Sequence, residues 1–191
     1  TVSPPRKGSK PTARQPPSKQ NRISATLTAS IALSDNEDAV TFTDGEWQHL
    51  VFNLGEFRAL GIDSSALTAI KLTNTQGQFY LDNVTIGAAF EGAKLTLFED
   101  DANVNWPMWD SRVAIGESDV LPMVVADDEE HGNTAEFYIA GNAVVGFNVR
   151  EDQGGSGYQF DGSSLSESGV IEFDLKLIDL PSNPNAPWYV K

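Results

Sequence analysis

The chain predicts an all-β antiparallel sandwich, and three observations carry that prediction. Apolar and polar residues alternate with a period of two in several separate runs. The runs are short and bounded by Gly, Pro, Asn and Asp, and no long stretch keeps a helical period. About eight or nine strands of this kind suit a two-layered domain, and 191 residues are enough to bury a real core.

The first 22 residues, TVSPPRKGSKPTARQPPSKQNR, hold five of the ten prolines and no large apolar residue beyond Val2. Such a segment cannot repay its ordering entropy by burial, so it is expected to be a disordered tail or linker. From Ile23 the alternation is strict: Ile23, Ala25, Leu27, Ala29 and Ile31 fall on one face of a strand, and Ser24, Thr26, Thr28 and Ser30 on the other. A polar loop leads to GEWQHLVFNL, a strand with Trp47 expected in the core. GEFRALGIDSSAL is too short and Gly-broken for a long helix, although Asp63 can cap a single turn. TAIKLTNTQGQFYLDNVTI reads as two strands joined by the turn NTQG.

The second half opens with the strand KLTLFEDD and the loop ANVNWPMWDS. EFYIAG and AVVGFNVR follow, the latter with Val145, Phe147 and Val149 on one face and Asn148 and Arg150 on the other. A Gly- and Ser-rich excursion precedes VIEFDLKLIDL, the cleanest strand, with Ile171, Phe173, Leu175 and Leu177 inward and Glu172, Asp174 and Lys176 outward. PSNPNAP breaks it, and WYVK is one more strand, with Trp188 expected in the core.

Cysteine is absent, so neither disulfides nor thiolate chemistry exist, and a bound metal is the expected substitute. The net charge of −14 conceals two regions. Six of the 13 cations lie in the first 22 residues with no acid, leaving seven against 27 acids, net −20, for the rest. An acidic body repels nucleic acid and anionic membranes, so neither is an expected partner. No apolar run approaches the roughly 18 residues that span a bilayer.

Hard Ca²⁺ takes six to eight oxygen ligands, and Asp82, Glu99, Asp100 and Asp101 cluster at two strand ends. Asp101, Asn103 and Asn105 imitate the start of a helix-loop-helix calcium loop. Trp106 stands at the Gly position and Arg112 at the Glu position, so that motif fails. For ligand binding, a flat ring offers its face to the C–H side of a pyranose while amides and charged groups take the hydroxyls. Trp106 and Trp109 flank Pro107 in a polar loop, Trp106 being the expected contact and Trp109 either contact or packing. Tyr158 lies in a Gly-rich loop, and Asn148, Arg150 and Gln153 are polar groups able to converge there.

Catalytic signals are thin. Glu172-Phe173-Asp174 is similar to the paired-carboxylate strand of laminarinase-like glycoside hydrolases, but Lys176 and Leu177 stand where the second Glu belongs. GGSGY lacks nucleophile-elbow spacing. His49 and His131 match no metal-ligand pattern.

GEWQHLVFNLGEFRALGIDSSALTAIKL with FYLDNVTI, then LTLFEDDANVNWPMWD, and finally VIEFDLKLIDLPSNPNAPWYVK resemble segments of bacterial carbohydrate-binding modules of the galactose-binding-like β-sandwich group. The resemblance covers 23–191, but its closing strands come first, in 23–89, and its opening strands follow, in 90–191. It implies a jelly-roll sandwich, permuted into one monomeric module, with a half-exchanged dimer or a cut across tandem repeats as alternatives. It also implies a structural Ca²⁺ shared by Glu99 and Asp82, with Asp101 beside them. The implied protein is secreted, non-catalytic and attached to a polysaccharide-degrading domain that it targets to a β-glucan or a galactan such as agar. The competing expectations are a structural or adhesion repeat and, behind it, a glycoside hydrolase.

Overall fold

The computed structural model describes residues 31–32, 45–73, 76–88, 94–112, 122–127, 129–140, 143–178 and 189–190. The basic tail, the run Ile23 to Ser30, Asn74 and Thr75 of the NTQG turn, 89–93, the PSNPNAP break and Trp188 lie outside the described residues. Eleven strands are described: β1 (Ile31–Ala32), β2 (Trp47–Asn53), β3 (Ala69–Thr73), β4 (Gln76–Ala88), β5 (Leu95–Phe98), β6 (Met108–Asp110), β7 (Met123–Ala126), β8 (Asn133–Ala140), β9 (Val144–Asn148), β10 (Gly169–Leu177) and β11 (Tyr189–Val190).

They form two antiparallel sheets packed as a sandwich. One runs β2-β10-β4-β8-β7, with β5 also paired to β4. The other is built on β3, β9 and β6 and extended at one edge by the two-residue strands β11 and β1. Both sheets mix strands from the two halves of the chain. β3 and β4 belong to different sheets, so they do not pair as a hairpin. Two short strands were not legible as periodicity. β6 has only three residues, and β7, Met-Val-Val-Ala, is an edge strand whose burial does not alternate.

The alternation in β10 is realised as read: Ile171, Phe173, Leu175 and Leu177 are buried, and the intervening residues are half-exposed on the outer face. Phe52 stacks on Phe173 at 5.8 Å and Phe79 on Phe137 at 5.6 Å within the larger sheet, while Phe147 of the other sheet meets Phe137 edge-on at 5.9 Å. Each fully buried phenylalanine removes enough apolar surface to stabilise the fold by about 1.5–3 kcal/mol. Between β2 and β3, one helix, α1 (Leu54–Ala59), buries Leu54 and Phe57; Asn53 caps it by accepting from the Gly55 N–H at 2.6 Å. Asp63 caps the following single turn, Ser64–Ala66, as its sequence position predicts.

One irregularity positions the polar groups on the outer face of the larger sheet. Along β10, Glu172 faces Thr85 and Asp174 faces Asp82, so β4 carries an extra residue between them. Asn83 absorbs that bulge with φ 52°. At the same point β4 changes its other neighbour, pairing with β8 up to Leu81 and with β5 from Val84. The turn before β8 therefore opens directly onto the bulge. Among the described residues, no helix is long and apolar enough to cross a membrane.

Candidate functional site

Polar clusters stand on the two outer faces of the sandwich. On the smaller sheet, Lys71, Gly146 and Trp109 form one row across β3, β9 and β6. Ile70, Leu72, Val145 and Phe147 point inward, so this row faces outward. Gly146 has φ 144°, and a Cβ there would lie 2.2 Å from the Ile70 carbonyl oxygen. With no side chain in the middle of the row, the Lys71 ammonium reaches 4.1 Å from the centre of the Trp109 ring. Lys71 also donates to Gln153 Oε1 at 3.1 Å, and the same oxygen accepts from Asn148 Nδ2 at 2.9 Å. The Arg150 N–H donates to Asn148 Oδ1 at 3.3 Å, and the Arg150 guanidinium pairs with Asp152 at 2.5 Å, holding that carboxyl below its ordinary range.

Four of the expected sugar-binding residues, Trp109, Asn148, Arg150 and Gln153, therefore meet on one face. Their roles differ. Asn148 is fully buried and serves to hold Gln153, so it is not a surface contact. Tyr158 is 58 % exposed on the neighbouring loop, which Ser156 ties to the Asn105 carbonyl at 2.6 Å.

Trp106 corrects the sequence reading. It is 0 % exposed and belongs to the core; its backbone N–H closes a tight turn onto the Asn103 carbonyl at 2.8 Å, just ahead of Pro107 and β6. The two tryptophans thus face opposite ways. Trp47, expected in the core, is only part-buried: its Nε1 donates to Asp127 Oδ2 at 3.1 Å.

On the larger sheet, the outward residues of β10 organise the second cluster. Asp174 faces His49 on β2 and Asp82 on β4; Lys176 faces Trp47 and Tyr80. His49 Nδ1 lies 2.7 Å from Asp174 Oδ1. The Asn83 amide donates to Asp174 at 2.8 Å and to Asp82 Oδ2 at 3.2 Å, while its backbone N–H donates to Asp82 Oδ1 at 2.8 Å. His131, from the turn before β8, places Nδ1 3.0 Å from Asp82 Oδ2 and stacks its ring 3.9 Å from Trp47. Asp82 is 4 % exposed. Burial pushes its carboxyl up, against the hydrogen bonds from His131 and Asn83.

Donor atoms of Asp82, His131 and Asp174 all lie within 4.8 Å of one another, an arrangement that could hold a metal ion. Of the expected calcium ligands only Asp82 belongs to this group; the exposed Glu99 and Asp101 do not join it. Beside it opens a cleft of about 300 Å³ lined by His49, Asn83, Glu99, Glu172, Asp174 and Lys94, among others. Sequence reasoning missed His49 and His131, since neither has a ligand-spaced neighbour in sequence. The available hints were their two partners: Asp174 on the cleanest strand, and Asp82 beside an Asn able to take a positive φ.

Comparison with protein-family models, curated proteins and solved structures finds no match to this chain.

Proposed function

We propose that the chain is a non-catalytic carbohydrate-binding module whose sugar platform is the outer face around Trp109. The observation that carries this reading is the grouping of a part-exposed indole with Lys71, Gln153 and Arg150 on one sheet face. An indole with hydrogen-bonding groups beside it offers both kinds of contact to a pyranose, whose C–H side is apolar and whose edge is hydroxylated, once the Lys71 ammonium over the ring gives way. The strand segments that resemble galactose-binding-like modules support the same reading; a jelly-roll connection of the sheets and secretion belong to the proposal. The acidic body favours a neutral glycan, a β-glucan or a galactan, over a sulfated one unless Lys71 and Arg150 act together on this face, and Arg150 is already paired with Asp152. Function would come from tethering: the module keeps an attached enzyme at its polysaccharide and raises local concentration.

Affinity electrophoresis through gels containing laminarin, agarose, xylan or alginate tests this. Retardation by one neutral glycan, lost in Trp109→Ala with the fold intact, is the expected result. A folded chain that moves freely through every gel would overturn it in favour of a structural or adhesion repeat. A second reading, glycoside hydrolase, draws on Glu172 and Asp174 lining one cleft. Reducing-sugar release that disappears in Glu172→Gln would establish it.

A further inference from the structure

We infer that Asp82, His131 and Asp174 form a binding site for a divalent transition-metal ion of the Zn²⁺ class. The Ca²⁺ that the resemblance implies does not fit these residues. Calcium takes six to eight oxygens, whereas this group places an imidazole nitrogen among its donors and leaves Glu99 and Asp101 outside. Two carboxylates and one histidine instead suit a borderline ion that binds nitrogen and oxygen together.

The geometry is close to that of a loaded site. Metal–ligand bonds of roughly 2.0–2.1 Å at a tetrahedral angle place neighbouring ligand atoms about 3.3 Å apart. The His131–Asp82 separation is 3.0 Å, a hydrogen bond whose proton the ion would replace with little change of spacing, and Asp174 contributes a carboxylate oxygen within 4.8 Å of both partners. The remaining contraction, from at most 4.8 Å to about 3.3 Å, can be made with His49 and Asn83 still bonded to Asp174, because each carboxylate oxygen accepts more than one bond.

Electrostatics point the same way. Asp82 and Asp174 face each other directly across a strand pair, where like charges destabilise a sheet. Their ion pairs among the described residues are with His131 and His49. Lys176, the next outward residue on β10, is committed to Asp127 at 2.6 Å. A divalent cation between the carboxylates would neutralise both.

The ligands are also held in place from behind, as those of built metal sites are. Asn83 in its bulge conformation fixes both aspartates, and His49 holds Asp174 from the far side. Trp47 stacks on the His131 ring and is itself anchored on Asp127. Asp174 and Asn83 also line the 300 Å³ cleft, so the ion would keep a side open to exchangeable ligands, as three-ligand zinc sites do.

The site lies on the opposite face from Trp109, and its test needs no sugar. Tag-free chain is stripped with chelator and titrated calorimetrically with Zn²⁺, Ca²⁺ and Mg²⁺, and by visible absorption with Co²⁺. One Zn²⁺ per chain is expected, with a tetrahedral-type Co²⁺ spectrum and a Tm rise of about 5–10 °C at a hundred times Kd. Ca²⁺ and Mg²⁺ at the same concentration should leave Tm unchanged. Asp174→Asn and His131→Gln should each weaken Zn²⁺ at least tenfold while far-UV circular dichroism stays that of the wild type. Stabilisation by Ca²⁺ in place of Zn²⁺, no Zn²⁺ binding by folded wild type, or equal Zn²⁺ affinity in the two variants would each overturn the inference.

Discussion

Trp106 and Trp109 stand three residues apart, yet truncating them should have opposite consequences. Trp106 is fully buried, so Trp106→Ala removes an entire core indole and leaves a cavity, at a cost of about 3–5 kcal/mol. For a domain of this length each kcal/mol moves Tm by roughly 2–4 °C, so the expected drop is about 6–20 °C. Among the described residues the buried indole Nε1 of Trp106 has no hydrogen-bond partner, a condition that costs about 1–3 kcal/mol. Trp106→Phe removes that donor while keeping an aromatic ring. The relief of that donor offsets much of the packing lost with the smaller ring, and Tm should stay within about 4 °C of wild type. Trp109→Ala loses a half-exposed ring and the Lys71 contact, the latter about 0.5–1 kcal/mol, so the fold should survive with a small Tm change. Its cost should appear in glycan binding, where losing a stacked ring worth about 1.4 kcal/mol weakens affinity tenfold. Differential scanning fluorimetry and affinity gels read both quantities on the same samples. If Trp106→Ala melts within 2 °C of wild type, or Trp109→Ala unfolds the chain, the assignment of inward and outward tryptophans is wrong.

Three further outcomes test the surrounding structure. Gly146→Ala would force a Cβ against the Ile70 carbonyl at a φ that L-residues rarely adopt; a loss on the order of 3 kcal/mol or more is expected in chemical denaturation. Asp110 is 1 % exposed and paired with Arg112 at 2.5 Å. Arg112→Ala should therefore destabilise by about 3–5 kcal/mol by stranding a buried carboxylate, and Asp110→Asn in the same background should recover part of it. Hydrogen bonds from the Ser65 hydroxyl and N–H hold the Asp63 carboxyl below its ordinary value. A depressed acid stabilises the fold above its unfolded pKa and loses that contribution as pH falls through the folded one. Asp63→Ala should thus melt lower than wild type at pH 7, and the gap should close below about pH 3.8; a gap unchanged at pH 2 would refute the cap.

Much of the fold is written locally. The period-two pattern that fixes the burial of β10, the strand β9 with Phe147 inward, and the cap at Asp63 each depend on residues a few positions apart, and the sequence displays them directly. Strands as short as β6 carry too few residues to show a period, so the loop around Pro107 hid the strand that turns Trp106 in and Trp109 out. Sheet membership was hidden for a related reason: a turn such as NTQG permits either a hairpin or a passage between layers, and distant partners decide which.

By itself, then, the sequence determined the class of fold, the inward faces of its best strands and the acidic character of its body, because these follow from composition and nearest-neighbour spacing. Only the tertiary structure decided which aromatic is exposed and which acids meet which histidines. Asp82 and His131 are 49 residues apart in sequence, and they touch because the Asn83 bulge and the change of β4 neighbour bring the turn before β8 onto the sheet. Such a contact arises from strand register, which no single segment specifies alone.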